Sequence, residues 1–84
     1  MNHLNHIKSI PISLGMVQVG SLVKIVDIMG GKNLLKRLFA MGLMEDTQVQ
    51  VLHQQKGTGV VIACGETRLA VGTGMASQIL VVPI

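Results

Sequence analysis

The sequence has few charged residues and almost no aromatic ones. Phe39 is the only aromatic residue, Trp and Tyr do not occur, and 13% of the 84 residues are charged. Proteins that bind nucleic acids usually stack bases on aromatic side chains or carry a dense basic stripe. The net charge of +3 is mild by comparison. We therefore expect no nucleic-acid partner.

Cysteine is nearly absent too, since Cys64 is the only one in the sequence. A lone cysteine excludes an intrachain disulfide and is typical of proteins from reducing compartments. The first thirteen residues lack the basic and then apolar pattern of a signal peptide. No apolar run approaches the ~20 residues that a membrane-spanning helix needs. We predict a cytoplasmic protein that does not insert into the membrane but could dock on a membrane protein from inside.

The composition is instead aliphatic, with 49% of the residues apolar. Val, Ile and Leu favour strands, and 84 residues are enough for one small domain. A chain this apolar also leaves apolar surface exposed, which indicates a partner protein. Apolar edges on so small a domain would in addition favour a homo-oligomer.

The period of the apolar residues predicts the secondary structure. We expect a loosely ordered leader over residues 1–13 and a single domain over 14–84. Strands are predicted at about 21–28, 47–54, 60–64, 67–71 and 79–82, with a helix at 33–41 and one helical turn at 75–78. Tight turns at 56–59 and 65–66 join consecutive strands. The fold class is therefore mainly β, a small, partly open barrel of about five antiparallel strands with one inserted α-helix.

The helix and the residues after it form the most informative segment, from Asn33 to Val51. Asn33 is the expected N-cap and Gly42 the left-handed residue that ends the helix, with Leu43 folded back on Leu38. The predicted apolar face holds four side chains one turn apart, namely Leu34, Leu35, Leu38 and Phe39.

The polar face of this helix carries only positive charge. No acidic residue lies between Lys32 and Gly42, although acids would stabilise the first turn of a helix. We therefore interpret the basic face as a binding surface for an acidic partner. Methionines near the helix end would add adaptable apolar contacts. The predicted partner-binding residues are Lys32, Lys36, Arg37, Met41 and Met44.

No constellation of residues predicts catalysis, a bound cofactor or a metal. A nucleophilic Cys64 would have only His53 as a base, and the glycine-rich segments at 56–59 and 71–76 lack the spacing of phosphate-binding motifs. His3 and His6 share a spacing, but they lie in the leader. His53 is in phase with buried strand positions, which indicates a partly buried or strand-end histidine, and Cys64 is expected to be a small hydrophobe.

Two segments resemble the ferrous iron transport protein A (FeoA) family. They are RLFAMGL at 37–43 and LAVGTGMASQILV at 69–81, and the resemblance extends over about residues 14–82. The same fold is similar to the C-terminal module of iron-dependent repressors of the diphtheria-toxin-repressor type. One departure stands out: the family usually has Pro-Gly where this chain has Glu45-Asp46. Asp tolerates the left-handed region, so we expect the turn to survive.

The resemblance implies an SH3-like barrel without catalytic activity. It implies a cytosolic accessory protein of bacterial ferrous iron uptake that binds and modulates the membrane transporter, whose cytosolic domain hydrolyses GTP. An alternative hypothesis is a metal-responsive regulatory module that acts on a repressor or on transcription, with His53 or Cys64 as ligands.

Overall fold

The computed structural model describes residues 10–84. Most of the predicted leader, residues 1–9, lies outside the described residues, and Ile12 and Ser13 at its end form a strand. The elements in chain order are β1 (Ile12–Ser13), a short 3-10 helix (Leu14–Met16), β2 (Leu22–Ile28), α1 (Lys32–Ala40), β3 (Gln48–Gln55), β4 (Gly59–Cys64), β5 (Thr67–Gly72), α2 (Thr73–Ala76) and β6 (Ile79–Pro83).

The strands form one antiparallel sheet in the order β1-β6-β2-β3-β4-β5. The two ends of this order, β1 and β5, do not pair with each other, so the barrel stays partly open. The predicted fold class, an SH3-like partly open barrel, is confirmed. The described residues form six strands where we expected about five, because the two-residue β1 pairs with β6 through Ile12 and Val81. Such a short strand has too few residues to produce a period in the sequence.

A single apolar core lies inside the curved sheet. Alternating residues of the strands supply most of it, as the period of two requires. The 3-10 helix, α1 and α2 each contribute one buried residue, which are Leu14, Leu38 and Ala76. The largest fully buried side chains include Leu14, Ile25, Leu38, Leu43, Ile62 and Ile79. No buried polar or charged residue occurs among residues 10–84, so the described core is held by apolar packing alone.

The alternation of β3 changes phase halfway along the strand. Val49 and Val51 are buried, but the pairing register with β4 shifts between Val51 and His53. A bulge of this kind adds one residue to one strand and turns the following side chains to the opposite face. His53 is consequently exposed, two residues before the end of β3, so of its two predicted positions the partly buried one is wrong.

The predicted turns form, although one short helix is displaced. Three residues at 56–58 connect β3 to β4, and Gly65-Glu66 connect β4 to β5. Gly65 has a φ of 63°, the left-handed conformation that glycine adopts without strain. The predicted helical turn at 75–78 begins earlier, as α2 at Thr73–Ala76, because Gly72 already has the extended backbone of an N-cap.

Candidate partner-binding site

The helix α1 begins one residue earlier than the sequence predicts. Gly31 is the N-cap, with φ −82° and ψ 180°, and no side chain caps the first turn. Lys32 is therefore the first helical residue, and Asn33 lies inside the first turn. The predicted N-cap at Asn33 is wrong because the extended backbone at Gly31 precedes it, and glycine is acceptable at an N-cap.

The predicted helix stop is confirmed. Gly42 has a φ of 85°, and the Leu43 N–H donates to the Leu38 carbonyl at 2.8 Å while the Gly42 N–H donates to the Phe39 carbonyl at 2.9 Å. These two bonds define a Schellman motif, which satisfies carbonyls that the helix leaves free. Leu38 and Leu43 are both in the buried core. The stop thus fixes where α1 ends and directs the following residues back over the sheet.

The apolar residues of α1 form two stripes. Leu34, Leu38 and Met41 recur at helical spacing and pack on the core, with Leu38 fully buried. We call these three the buried stripe. Leu35 and Phe39 form a second line one turn apart, which we call the exposed stripe, because they are 44% and 66% exposed. The sequence predicts one apolar face that holds Leu34, Leu35, Leu38 and Phe39, and the structure divides this face between the two stripes.

The exposed stripe forms one wall of a groove with a volume of about 540 Å³. The end of β2 and the residues that follow the helix stop supply the rest of the lining. The residues that line the groove are Asp27, Ile28, Leu35, Lys36, Phe39, Leu43, Met44 and Glu45. Five of these eight side chains are apolar. The groove is therefore an apolar channel with charges of both signs along it.

The charges of the groove come from different elements. Lys36 belongs to α1, whereas Asp27 lies near the end of β2 and Glu45 follows the helix stop. None of the three is within ion-pair distance of an opposite charge among the described residues, where the single pair is Lys24–Asp46. An unpaired cation and unpaired carboxylates beside apolar side chains are the arrangement that gives a protein interface its specificity.

The turn at Glu45-Asp46 holds one end of the groove in place. Asp46 has a φ of 72°, and it is the one non-glycine residue with positive φ among residues 10–84. The Thr47 N–H donates to the Met44 carbonyl at 3.1 Å, and the Met44 N–H donates to Thr47 Oγ1 at 3.3 Å. Asp is one of the residues that tolerate this conformation. The predicted survival of the turn without Pro-Gly is confirmed.

The five predicted partner-binding residues separate into three groups. Lys36 and Met44 line the groove. Lys32 and Arg37 are exposed on α1 outside it, and Met41 is half-buried against the core. The predicted set lacks the other six groove residues, which are Asp27, Ile28, Leu35, Phe39, Leu43 and Glu45. The spacing of Leu35 and Phe39 beside Leu34 and Leu38 was the available signal for a second stripe.

The candidate metal ligands do not come together. His53 pairs with Val61, and Cys64 lies three residues farther along β4, a separation of about 10 Å at the rise of a strand. Cys64 is half-buried against the core, as a small hydrophobe would be. No group of three His, Cys, Asp or Glu side chains suited to a metal occurs in the described part of the chain. His3 and His6 lie outside that part.

Within residues 10–84, no helix has the length and apolarity that a membrane crossing requires. The longest is α1, with nine residues.

Several solved structures are similar to this chain. The crystal structure of an iron uptake regulatory protein (FeoA) matches with a TM-score of 0.84 and 29% identity, covering 89% of this chain and 100% of the other. The NMR structure of a FeoA-like protein from Clostridium acetobutylicum matches with a TM-score of 0.80 and 20% identity, covering 92% and 91%.

A manganese-dependent transcriptional repressor is similar over part of its length. Its TM-score is 0.83 at 19% identity, and the match covers 92% of this chain and 44% of the repressor. This likeness shows the fold alone. No curated protein matches the sequence.

Structural similarity alone does not assign this chain to a family, but its match to a family model does. Residues 12–83, nearly all of the described chain, match the FeoA domain. These residues include α1, the helix stop, the groove and all of the strands β1 to β6. The chain therefore belongs to the FeoA family.

Proposed function

We propose that this protein is a non-enzymatic, cytoplasmic accessory protein of ferrous iron uptake that binds the cytosolic domain of the membrane transporter. FeoA-family membership implies a role in ferrous iron transport. The proposal adds two points to this role. The transporter is the partner, and the groove beside α1 is the surface that binds it. Lys32, Lys36, Arg37, Met41 and Met44 remain the proposed partner-binding residues, with Phe39 and Leu35 added.

The groove is the observation that carries this proposal. Phe39 is the sole aromatic residue of the chain and is 66% exposed. Aromatic side chains that contribute most to binding lie at the centre of interfaces, where water is excluded by their neighbours. Leu35 and Met44 lie along the same groove and would close around an inserted apolar residue. Burying such a side chain contributes roughly 1.5–3 kcal/mol.

The charges define the partner further. Lys36 at the groove, with Lys32 and Arg37 beside it on α1, favours an acidic residue on the partner. Asp27 and Glu45 line the groove from outside α1, and they favour a basic residue on the partner. The matching segment of the transporter domain would therefore carry apolar residues flanked by charges of both signs. If the cytosolic domain exposes this segment more in one nucleotide state than in another, binding of this protein would favour that state and so modulate the transporter.

A charge-reversal experiment tests the proposed surface. The variant Lys36→Glu should raise the Kd for the transporter's cytosolic domain by at least about tenfold, because it places like charges opposite each other. The variant Lys56→Glu, at the distant β3–β4 turn, changes the net charge equally. It should bind like the parent. Calorimetric titrations with and without guanine nucleotide provide the measurement.

The comparison of the two variants separates specific from general electrostatics. Equal weakening by both would attribute the effect to net charge and remove the groove from the proposal. Unchanged binding by Lys36→Glu and by the double variant Lys36→Glu/Arg37→Glu would show that the basic face has no part in binding.

A further inference from the structure

The two ends of the sheet differ in how they are protected. One end is β1, which has two residues and leads directly into the 3-10 helix. The other is β5, which has six residues in continuous register with β4 from Thr67 to Gly72. Natural sheet edges are usually blunted by charged side chains, Pro, a bulge or short length. The strand β5 has no Pro and no bulge, and its one charged residue is Arg68.

The hydrogen-bonding pattern shows which groups of β5 point away from the sheet. Gly65-Glu66 form a two-residue hairpin loop, so the flanking pair Cys64–Thr67 is hydrogen-bonded. Hydrogen-bonded and non-bonded pairs then alternate along the ladder. Just beyond the other end of β5, the Thr73 N–H donates to the Thr58 carbonyl at 3.2 Å, and this is the bond that the alternation predicts for that pair. The groups that face outward therefore belong to the second, fourth and sixth residues of β5, which are Arg68, Ala70 and Gly72.

These outward groups have no partner in the described part of the chain. Within residues 10–84, β5 pairs in the sheet only with β4. Apart from bonds inside β5 and α2 themselves, no other backbone or side-chain hydrogen bond of these residues involves Arg68, Ala70 or Gly72. The Gly72 carbonyl is an exception, because Gly72 is the N-cap of α2 and its carbonyl accepts the first hydrogen bond of that helix. The edge thus presents both groups of Arg68, both groups of Ala70 and the N–H of Gly72.

We propose that β5 is a self-association edge, at which two copies of this chain pair antiparallel about a two-fold axis at Ala70. Ala70 then lies opposite its own copy, and Arg68 lies opposite Gly72. The two sheets become one continuous sheet across the dimer. This inference goes beyond the proposed function and does not rest on it, because the groove lies beside α1 and β2.

A second copy fits this edge for reasons of charge and shape. The axis at Ala70 places Arg68 opposite an uncharged residue, whereas an axis at Arg68 would bring two guanidinium groups together. Ala70 and Gly72 are small, so the backbones can approach without obstruction. On the other face, the half-buried Leu69 would lie opposite Val71 of the copy, adding an aliphatic cross-strand pair.

Proline at the centre of the edge is the direct test. In Ala70→Pro the lost N–H points outward, so the ladder with β4 keeps its bonds. The dimer loses one such bond from each copy, which should raise its dissociation constant roughly ten- to a hundredfold. Sedimentation equilibrium of the full chain at several concentrations measures this constant, and circular dichroism checks the fold.

Two further variants keep the test decisive if Ala70→Pro does not fold. Ala70→Lys opposes two like charges across the axis and should also weaken the dimer, whereas Gln48→Lys on the inner strand β3 adds the same charge and should not. In a Cys64→Ala background, Ala70→Cys should oxidise to a covalent dimer and Gln48→Cys should not. A paired Cα separation of about 5.5 Å suits a disulfide. A chain that stays monomeric, or a dimer unaffected by Pro and Lys at 70, overturns the proposal.

Discussion

The two apolar stripes of α1 are made of adjacent residues with opposite roles. Leu38 is fully buried and Phe39, the next residue, is 66% exposed. Both are large and apolar, and both lie on what a helical wheel presents as one face. The comparison shows that the apolar period locates a face but does not say how much of it the rest of the chain covers.

The contact between α1 and the core covers one part of the apolar face, and this explains why the two stripes differ in exposure. Leu34, Leu38 and Met41 follow one line along the helix, and this line meets the core. Leu35 and Phe39 lie about 100° farther around the helix axis, above the end of β2 and the residues after the stop, where the groove opens. The buried stripe stabilises the fold, whereas the exposed stripe keeps apolar area available for a partner.

The largest expected effect comes from shortening the buried stripe. Leu38→Ala removes a fully buried side chain at the centre of the helix contact, and such changes lower the free energy of unfolding by about 2–5 kcal/mol. Urea unfolding followed by circular dichroism measures the loss. Ala40→Ser, on the exposed side of the same helix, is the control and should change little. A loss below about 1 kcal/mol for Leu38→Ala would mean that the helix contributes little to the core.

A smaller effect is expected at the helix stop that positions both stripes. Gly42 has a φ of 85°, and a Cβ added there would meet no atom within 4 Å. Gly42→Ala should therefore lose about 1–2 kcal/mol through backbone strain alone. Gly42→Asn is the matched control, because Asn tolerates the left-handed region and should lose less. Equal losses in thermal unfolding would mean that conformational strain is not the cause.

The sequence predicted most of the parts of this molecule that depend on local chemistry, although it placed the N-cap of α1 at Asn33 instead of Gly31. The strand bounds, the glycine turns, the stop at Gly42 and the left-handed turn at Asp46 all follow from residues acting on their own backbone. Features that depend on distant neighbours escaped prediction. The bulge that exposes His53 arises from pairing between β3 and β4, and the split of the apolar face depends on where α1 rests on the core.

The candidate site was predictable to a similar extent. Lys36 and Met44 were expected at the binding surface because α1 and its stop dominate the sequence pattern, and both line the groove. Asp27 and Ile28 could not be assigned to it from the sequence, since only the folded chain brings the end of β2 beside α1. Phe39 was predicted on the apolar face of α1, and the period alone does not show that this part of the face stays uncovered.

The smallest expected effect on stability comes from the exposed stripe, and it separates the two stripes most clearly. Phe39→Ala removes a side chain that is already 66% exposed, so the free energy of unfolding should change by no more than about 0.5 kcal/mol. Binding to the transporter's cytosolic domain should weaken by roughly tenfold or more, since an aromatic anchor would be lost. Val19→Ala, which shortens another exposed apolar residue outside the groove, should leave both quantities unchanged. A large loss of stability in Phe39→Ala would place Phe39 with the buried stripe after all. Unchanged stability together with unchanged binding would mean that the groove is not where this partner docks.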